Sequence, residues 1–312
     1  MSCEIAPVVV VSVVNWNTAE ATLRCLHSLH GCTYPSFRIV VVDNASRDDS
    51  IDRIRRGFPS VTVLSNPDNV GFAAGHHRAW TQAVAWGAAA MWLLNSDAVA
   101  EPDALARLVA AWQMHGSAVY GGVPLVRSAS GTVLLNFPSK YLLESGIPRA
   151  FQRDHAVEFD QTWEEREPFP VGAVPGSTLF LPLTLIASNG WMDDRWFLYC
   201  EEIDYCYRLR SLGVPRILVP QSKIWHQGGG SHRESMTLTD CIAYYRTRNE
   251  IALTRRHAPV VTTVFVVIKK LCRGAFQFLS RPQRAQMIFL GILDAILGRM
   301  GKKFAPERQF ME

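Results

Sequence analysis

Several short segments of the chain combine acidic, amide, aromatic and glycine residues in patterns that can bind or move charge. Val14-Asn-Trp-Asn17 follows one apolar run, and Val42-Asp-Asn-Ala-Ser46 ends another. If adjacent parallel strands deliver both, Asp43 can accept the imide N–H of a uracil or thymine ring, with Trp16 flanking it. The competing reading of Asp43-Asn44 is an Asx-type turn ahead of a helix. Asn66-Pro-Asp-Asn-Val-Gly-Phe-Ala-Ala-Gly75 puts Gly71 and Gly75 at a helix start, where the backbone can approach a nucleotide or sugar closely. The spacing is neither a dinucleotide fingerprint nor a P-loop. Leu93-Leu-Asn-Ser-Asp97 delivers a carboxylate to the end of a buried run. Such a group suits a hard divalent ion that bridges two phosphates, or else caps the next helix near Pro102 and Asp103.

A fourth segment, Gly190 to Gly213, crowds aromatics and carboxylates at a helix start, with Trp196 among the aromatics. Glu201 and Asp204 share a helical face, and Asp204 can pair with Arg208 four residues on; Glu202 points elsewhere. A free carboxylate beside a metal-phosphate site is what a general base requires, although the helix dipole favours acidic residues in any first turn. His226 and His232 border a glycine run. His226 is a candidate further metal ligand, against the commoner role of a structural hydrogen-bonder.

The elements that must position these groups alternate. Strands are expected at 8–14, 38–43, 61–65, 90–95 and 119–126, and helices at 18–30 (Thr18 as cap), 48–56, 71–86 and 102–115. This order predicts an α/β fold with a doubly wound, mostly parallel sheet and ligands at the carboxyl ends of its strands. Residues 128–170 are rich in Ser, Gly, Pro and charge without a sustained period, and read as a loop or insertion over the site. Strands at 171–182 and 215–219 and helices at 201–212, 238–257, 259–279 and 281–300 complete the chain. The expected division is a catalytic domain over 1–236 and a basic, apolar helical region over 237–312.

The 312 residues are 48% hydrophobic and 19% charged, a globular composition. Seven cysteines without a CxxC pair argue against a disulfide framework or structural zinc and fit a reducing cytoplasm. The apolar run at the start has no basic residue before it and reads as a buried strand, not a signal peptide. Residues 255–312 carry 11 Lys and Arg against 3 Asp and Glu, whereas the preceding body is mildly acidic. The basic residues interleave with Phe, Leu, Ile and Val, which favours an anionic membrane surface over nucleic acid as partner. Neither tail helix is a good span. Val260–Ile268 stops at Lys269-Lys270, and Ile288–Leu297 is interrupted by Asp294. Packing on the body and a homo-oligomer contact are the other readings of this tail.

Taken in order, these segments resemble family two of the glycosyltransferases, inverting and of GT-A fold, and within it the rhamnosyltransferase-like branch of bacterial surface-polysaccharide synthesis. The likeness runs from about Pro7 to Arg248 and includes Gly176-Ser-Thr-Leu-Phe and Phe197-Leu-Tyr-Cys-Glu-Glu-Ile-Asp204. It implies a base-binding Asp43 with Val14, Asn15 and Trp16 around it. It implies donor or acceptor contacts at Asn69, Gly71, Gly75, Asn95, Gly176 and Trp196. Asp97 takes the last position of a DXD-like metal motif whose first position is Asn95, and His226 completes the site for Mn or Mg. Glu202 is the implied base, standing where the family usually has Asp, one methylene shorter; Glu201 and Asp204 are the alternatives. The implied reaction is a single displacement with inversion. It would move a sugar, first rhamnose from dTDP-rhamnose, otherwise a UDP-hexose or galactofuranose, to a glycan or polyprenyl-linked acceptor. The enzyme would sit in the cytoplasm, peripheral on the inner face of the plasma membrane.

Three rivals fare worse. A nucleotidyltransferase should carry a glycine-rich, basic first loop, which Asn15-Trp-Asn-Thr18 is not. A dehydrogenase should show GxGxxG after strand one. A catalytically degenerate carbohydrate- or nucleotide-binding protein would bind without turnover.

Overall fold

The computed structural model describes residues 6–137, 141, 156–226 and 236–304. Its elements follow the expected alternation. They are β1 (Val9–Asn15), α1 (Ala19–His30), β2 (Phe37–Asp43), α2 (Ser50–Gly57), β3 (Thr62–Ser65), α3 (Gly71–Ala85), β4 (Ala90–Asn95), β5 (Ala98–Ala100), α4 (Ala104–His115) and β6 (Val119–Arg127). Then come β7 (Val133–Leu135), α5 (Gln161–Glu164), β8 (Phe169–Pro170), β9 (Thr178–Pro182), α6 (Leu183–Asn189), α7 (Glu201–Ser211), β10 (Arg216–His226), α8 (Met236–His257), α9 (Val260–Gln277) and α10 (Pro282–Ile296).

The main path of the sheet runs β3-β2-β1-β4-β9-β6-β10-β5. β3, β2, β1 and β4 are mutually parallel, β6 is parallel to β10, and β9 runs antiparallel between β4 and β6. β-Branched runs suit central strands because both faces are covered. Val9, Val11 and Val13 pack with Leu26, Leu29, Leu105 and Leu108 on one face. Val10 packs with Ala73, Ala79, Leu185 and Ile203 on the other. Complete burial of each such side chain stabilises the fold by about 1.5–3 kcal/mol. The register sets Asn15 beside Asp43 and Val14 beside Asn95, so polar residues leave three adjacent strands at one edge.

Some expectations need correction. Thr18 precedes α1, but its hydroxyl donates to Asn15 Oδ1 (2.9 Å) and makes no cap bond. The expected strand at 171–182 shortens to β9, and the one at 215–219 lengthens to the eleven residues of β10. Residues 128–170, read as a loop, contribute β7, α5 and β8, and the remainder of that segment lies outside the described residues. His232 also lies outside them.

α8 packs on the body through Leu253, and the tail helices pack on one another. Ala243 and Ile251 of α8, Val266 of α9, and Ile288, Ile292 and Ala295 of α10 form one apolar cluster. Asp294, which interrupts the apolar run of α10, is fully buried and accepts hydrogen bonds from Tyr244 Oη (2.7 Å) and Lys303 Nζ (2.6 Å). Burial works against its charge, yet those two partners hold its carboxyl below the ordinary range. No helix among the described residues is long and apolar enough to cross a membrane.

Asp294→Ala should destabilise the chain by about 2–4 kcal/mol, because it leaves a buried hydroxyl and an ammonium without their partner. Urea unfolding reads this directly, and an unchanged midpoint would show that the buried carboxylate does not pin α10 to α8.

Candidate active site

The first three strand ends form one side of the site. Asp43 is fully buried, and three bonds occupy its carboxylate: Asn15 Nδ2 at 2.7 Å, Ser46 Oγ at 2.6 Å and Ser46 N at 2.9 Å. The Asx-type turn is therefore real, and of roughly four acceptor positions on the carboxylate one is left for a ligand N–H. Asn44 ties this turn to the next loop through Gly71 O (3.0 Å) and Asn66 Nδ2 (2.8 Å). Asn69 Oδ1 accepts from Gly71 N (3.0 Å) at the start of α3. A Cβ on Gly75 would meet Val14 Cγ2 at 3.0 Å, and one on Gly71, at φ +84°, would sit 2.2 Å from Phe197 O. Both glycines are thus required for close approach of α3 to β1 and to the segment before α7. Val14 and Trp16 stand half-buried beside this turn.

The fourth strand end meets the last strand of the sheet. Asp97 Oδ1 lies 3.2 Å from His226 Nε2, and Asn95 Nδ2 lies 3.2 Å from the same nitrogen. Two neighbouring ligands of an octahedral ion with bonds of about 2.0–2.1 Å are separated by about 3 Å, so the Asp97–His226 spacing fits one divalent cation. Among the described residues no group of three or more His, Cys, Asp or Glu could hold a metal.

Glu201 and Glu202 open α7 and line a cavity of about 850 Å³, together with Asn95, Gly176 and His226. The two carboxylates differ. Glu201 is 4% exposed, and its Oε2 has no hydrogen-bond partner among the described residues. Burial, reinforced by Glu202, raises its carboxyl well above the ordinary glutamate range. Glu202 is half-buried. Burial raises it as well, while the N–H groups of Glu202, Ile203 and Gly176 draw it back. A Cβ on Gly176 would lie 3.0 Å from Glu202 Cγ, so this glycine makes room for the side chain. Glu202 is therefore a half-buried carboxylate with an upward-shifted pKa at a helix N-terminus, placed to accept a proton in the cavity.

Two expected site residues lie elsewhere. Asp204 is 2% exposed and faces away from the cavity. It does not pair with Arg208, which donates to the carbonyls of Asn189 (3.1 Å) and Trp191 (2.6 Å). Its partners are Arg256 Nη1 (2.8 and 2.9 Å), His257 Nε2 (2.7 Å) and Trp196 Nε1 (3.1 Å). Burial opposes its charge, but His257 and Arg256 prevail and hold its pKa below the ordinary value. Trp196 is 1% exposed and serves as packing and as a donor to Asp204. Both bind α7 to the end of α8.

No sequence signal pointed to the residues that shape the segment ahead of Glu201. Phe197, Tyr199 and Cys200 all have left-handed backbones, with φ of 65°, 70° and 73°. Each such residue costs on the order of 1–3 kcal/mol and persists only under external constraint. The constraint comes from α8. Asn249 Nδ2 donates to the carbonyls of Trp196 (3.1 Å), Leu198 (2.8 Å) and Tyr199 (2.9 Å), and Arg248 Nη2 donates to Trp196 O (2.9 Å). Both side chains are fully buried. The boundary expected near 236 thus cuts through the network that positions the carboxylates.

A model of glycosyl transferase family 2 matches residues 9–153. The chain is 25% identical over 278 residues to an N-acetylglucosaminyl-diphospho-decaprenol L-rhamnosyltransferase of Mycobacterium tuberculosis, covering 82% of this chain and 86% of that protein. Among solved structures it is similar to a mannosyltransferase from Pyrobaculum calidifontis in complex with GDP-Man and Mn2+ (TM-score 0.59, 15% identity, 95% of this chain and 88% of that one). It is also similar to GalNAc-T7 with UDP, GalNAc and Mn2+ (TM-score 0.60, 17% identity, 81% of this chain) and spans about half, 48%, of that chain. These likenesses bear out the GT-A fold.

Asn249→Ala should reduce turnover by about tenfold or more and lower stability by about 1–3 kcal/mol, because three carbonyls in and beside the strained segment lose their donor. Activity measured beside thermal unfolding checks this, and full turnover in the variant would show that the segment holds its shape unaided. A raised folded pKa makes Glu201 stabilising below the ordinary glutamate pKa, and that contribution disappears as pH rises through the raised value. Glu201→Gln should therefore gain stability relative to the parent as pH rises toward neutrality. Parallel stability–pH curves would contradict this.

Proposed function

Since the chain is a family 2 glycosyltransferase of GT-A fold, we propose that it transfers a sugar, rhamnose from dTDP-rhamnose in the first instance, to a lipid-linked glycan acceptor with inversion at the anomeric carbon. The observation that carries this reading is Glu202, a half-buried carboxylate with a raised pKa, in one cavity with Asn95 and His226 at the strand ends. The rhamnosyl group and the N-acetylglucosaminyl-diphospho-decaprenol acceptor are those in the name of the mycobacterial relative.

The nucleotide lies at the ends of β1 and β2, its base against Trp16 and its imide N–H toward the remaining acceptor position of Asp43. Gly71 and Gly75 let the start of α3 approach the sugar side. Asp97 and His226 would hold a divalent cation, Mn or Mg, which would supply charge neutralisation at the leaving diphosphate. Glu202 accepts the proton of the acceptor hydroxyl as that oxygen bonds to the anomeric carbon, and the bond from that carbon to the diphosphate oxygen breaks on the opposite face. The diphosphate leaves with the electron pair and needs no acid, so one base suffices. Burial and the neighbouring Glu202 disfavour a charge on Glu201, which leaves Glu202 as the carboxylate that accepts the proton.

The test is donor hydrolysis by the full chain. dTDP-, UDP- and GDP-sugars with manganese or magnesium should give nucleoside diphosphate from one donor class, and Glu202→Gln and Asp97→Ala should each lower release by about a hundredfold or more. Activity should fall as pH drops through the raised Glu202 pKa. Undiminished release from Glu202→Gln would remove it as the base, and no nucleotide binding by calorimetry would sink the transferase reading.

A further inference from the structure

Across the cavity from Glu202 the wall belongs to α8, α9 and α10, and it is basic. Arg246, Lys269, Arg273 and Arg284 all line it. Lys269 and Arg273 stand four residues apart on one face of α9. Arg246 lies over the Tyr199 ring at 4.7 Å, next to the segment that leads into Glu201. Lys270 is different: it is buried and paired with Glu250 at 2.6 Å. Among the described residues Lys269, Arg273 and Arg284 have no such ion pair. Arg284 Nε is buried with no hydrogen-bond partner among them. Burial and the charges of Arg273, Arg281 and Arg246 hold Arg284 below the ordinary guanidinium range, with Asp240 the acidic group that opposes them.

Gathering like charges around a cavity costs folding energy in the ligand-free chain, and a bound polyanion reverses the sign of that cost. Guanidinium forks match phosphate oxygens in pairs. The donor's diphosphate has its own place at Asp97 and His226, on the strand side, so the basic wall is free for a second one. The same helices also present an apolar stripe. Val261, Val264, Ile268 and Leu271 of α9 recur at helical spacing and are between 42% and 73% exposed.

We propose that Arg246, Lys269, Arg273 and Arg284 form a subsite for the diphosphate of a lipid-linked acceptor, with the lipid chain leaving along the apolar stripe of α9. The inference rests on the transferase reading and adds to it the group that presents the acceptor hydroxyl to Glu202. The lipid diphosphate anchors the acceptor, and the sugar it carries extends across the cavity. The four cations are positioning residues, not members of the reacting set.

The experiment is titration of the full chain in detergent with farnesyl diphosphate, farnesyl monophosphate and inorganic diphosphate. It compares the parent, Arg273→Gln alone, the Arg273→Gln/Arg284→Gln pair, and an Arg55→Gln/Arg56→Gln control that removes the same charge from α2. Farnesyl diphosphate should bind more tightly than either simpler probe. The pair should weaken it by about tenfold or more and the single variant by a smaller factor; the control should stay within about twofold. With acceptor supplied, KM for it should rise in the pair while kcat and nucleotide-sugar hydrolysis hold. Unchanged farnesyl diphosphate affinity in the pair overturns the subsite. So does a pair that keeps this affinity but no longer sediments with phosphatidylglycerol vesicles, because the arginines then read a lipid surface. A parent that binds farnesyl diphosphate through these arginines but hydrolyses no nucleotide sugar keeps the subsite and removes the transferase reading instead.

Discussion

The clamp that α8 places on residues 196–199 is the interaction on which the rest of the site depends. Two amide protons of Asn249 serve three carbonyls, and Arg248 takes a fourth bond to Trp196 O. Left to themselves, three non-glycine residues in the left-handed region would relax, since each pushes Cβ toward its own carbonyl. Held there, they turn the chain sharply enough that α7 begins at the cavity with Glu201 buried and Glu202 facing the open space. The same turn points Phe197 O at Gly71, where only a residue without Cβ fits, and Phe72 N donates to that carbonyl at 3.1 Å. One strained segment thus joins the nucleotide side of the sheet to the carboxylates, and the helix that pays for its strain lies outside the sheet altogether.

Charge is sorted across the cavity. One side carries Glu201 and Glu202 at the start of α7, and the side formed by α8, α9 and α10 carries Arg246, Lys269, Arg273 and Arg284. The sorting also appears in the buried pairs that do not touch ligand. Asp204 takes Arg256 and His257, Asp294 takes Lys303, and Glu250 takes Lys270. These pairs are matched and serve as pins. Among the described residues the glutamates at α7 and Lys269, Arg273 and Arg284 at the far wall make no ion pair, and charge left without a counter-charge in a half-closed cavity is where substrate chemistry is concentrated. In the proposed reaction one surplus accepts a proton and the other holds an anion.

The apolar residues left exposed on α9 and α10 follow from the same arrangement. α10 is pressed against α8 closely enough that a Cβ on Gly291 would lie 2.8 Å from Tyr244 O. That packing uses one stripe of each tail helix, and another stripe of α9, with Val261, Val264, Ile268 and Leu271, stays exposed.

Local sequence determined the alternation of strands and helices, the parallel core at β1, β2 and β4, and the polar residues at their ends. Apolar runs of the right length and spacing act over a few residues and need no distant partner. It also offered Asp97 and His226 as candidates at strand ends, whereas only the family resemblance singled out Glu202 among the carboxylates that open α7. Tertiary structure alone decided which carboxylate reaches the cavity. Glu201, Glu202 and Asp204 lie within one helical turn, and their difference comes from Gly176, Arg256 and His257, distant in sequence. It also decided that Asp294 is a buried pin, that Trp196 is core, and that Arg248 and Asn249 shape a loop some fifty residues upstream. Such roles depend on which distant backbone a side chain meets, and no local pattern of residue types encodes that meeting.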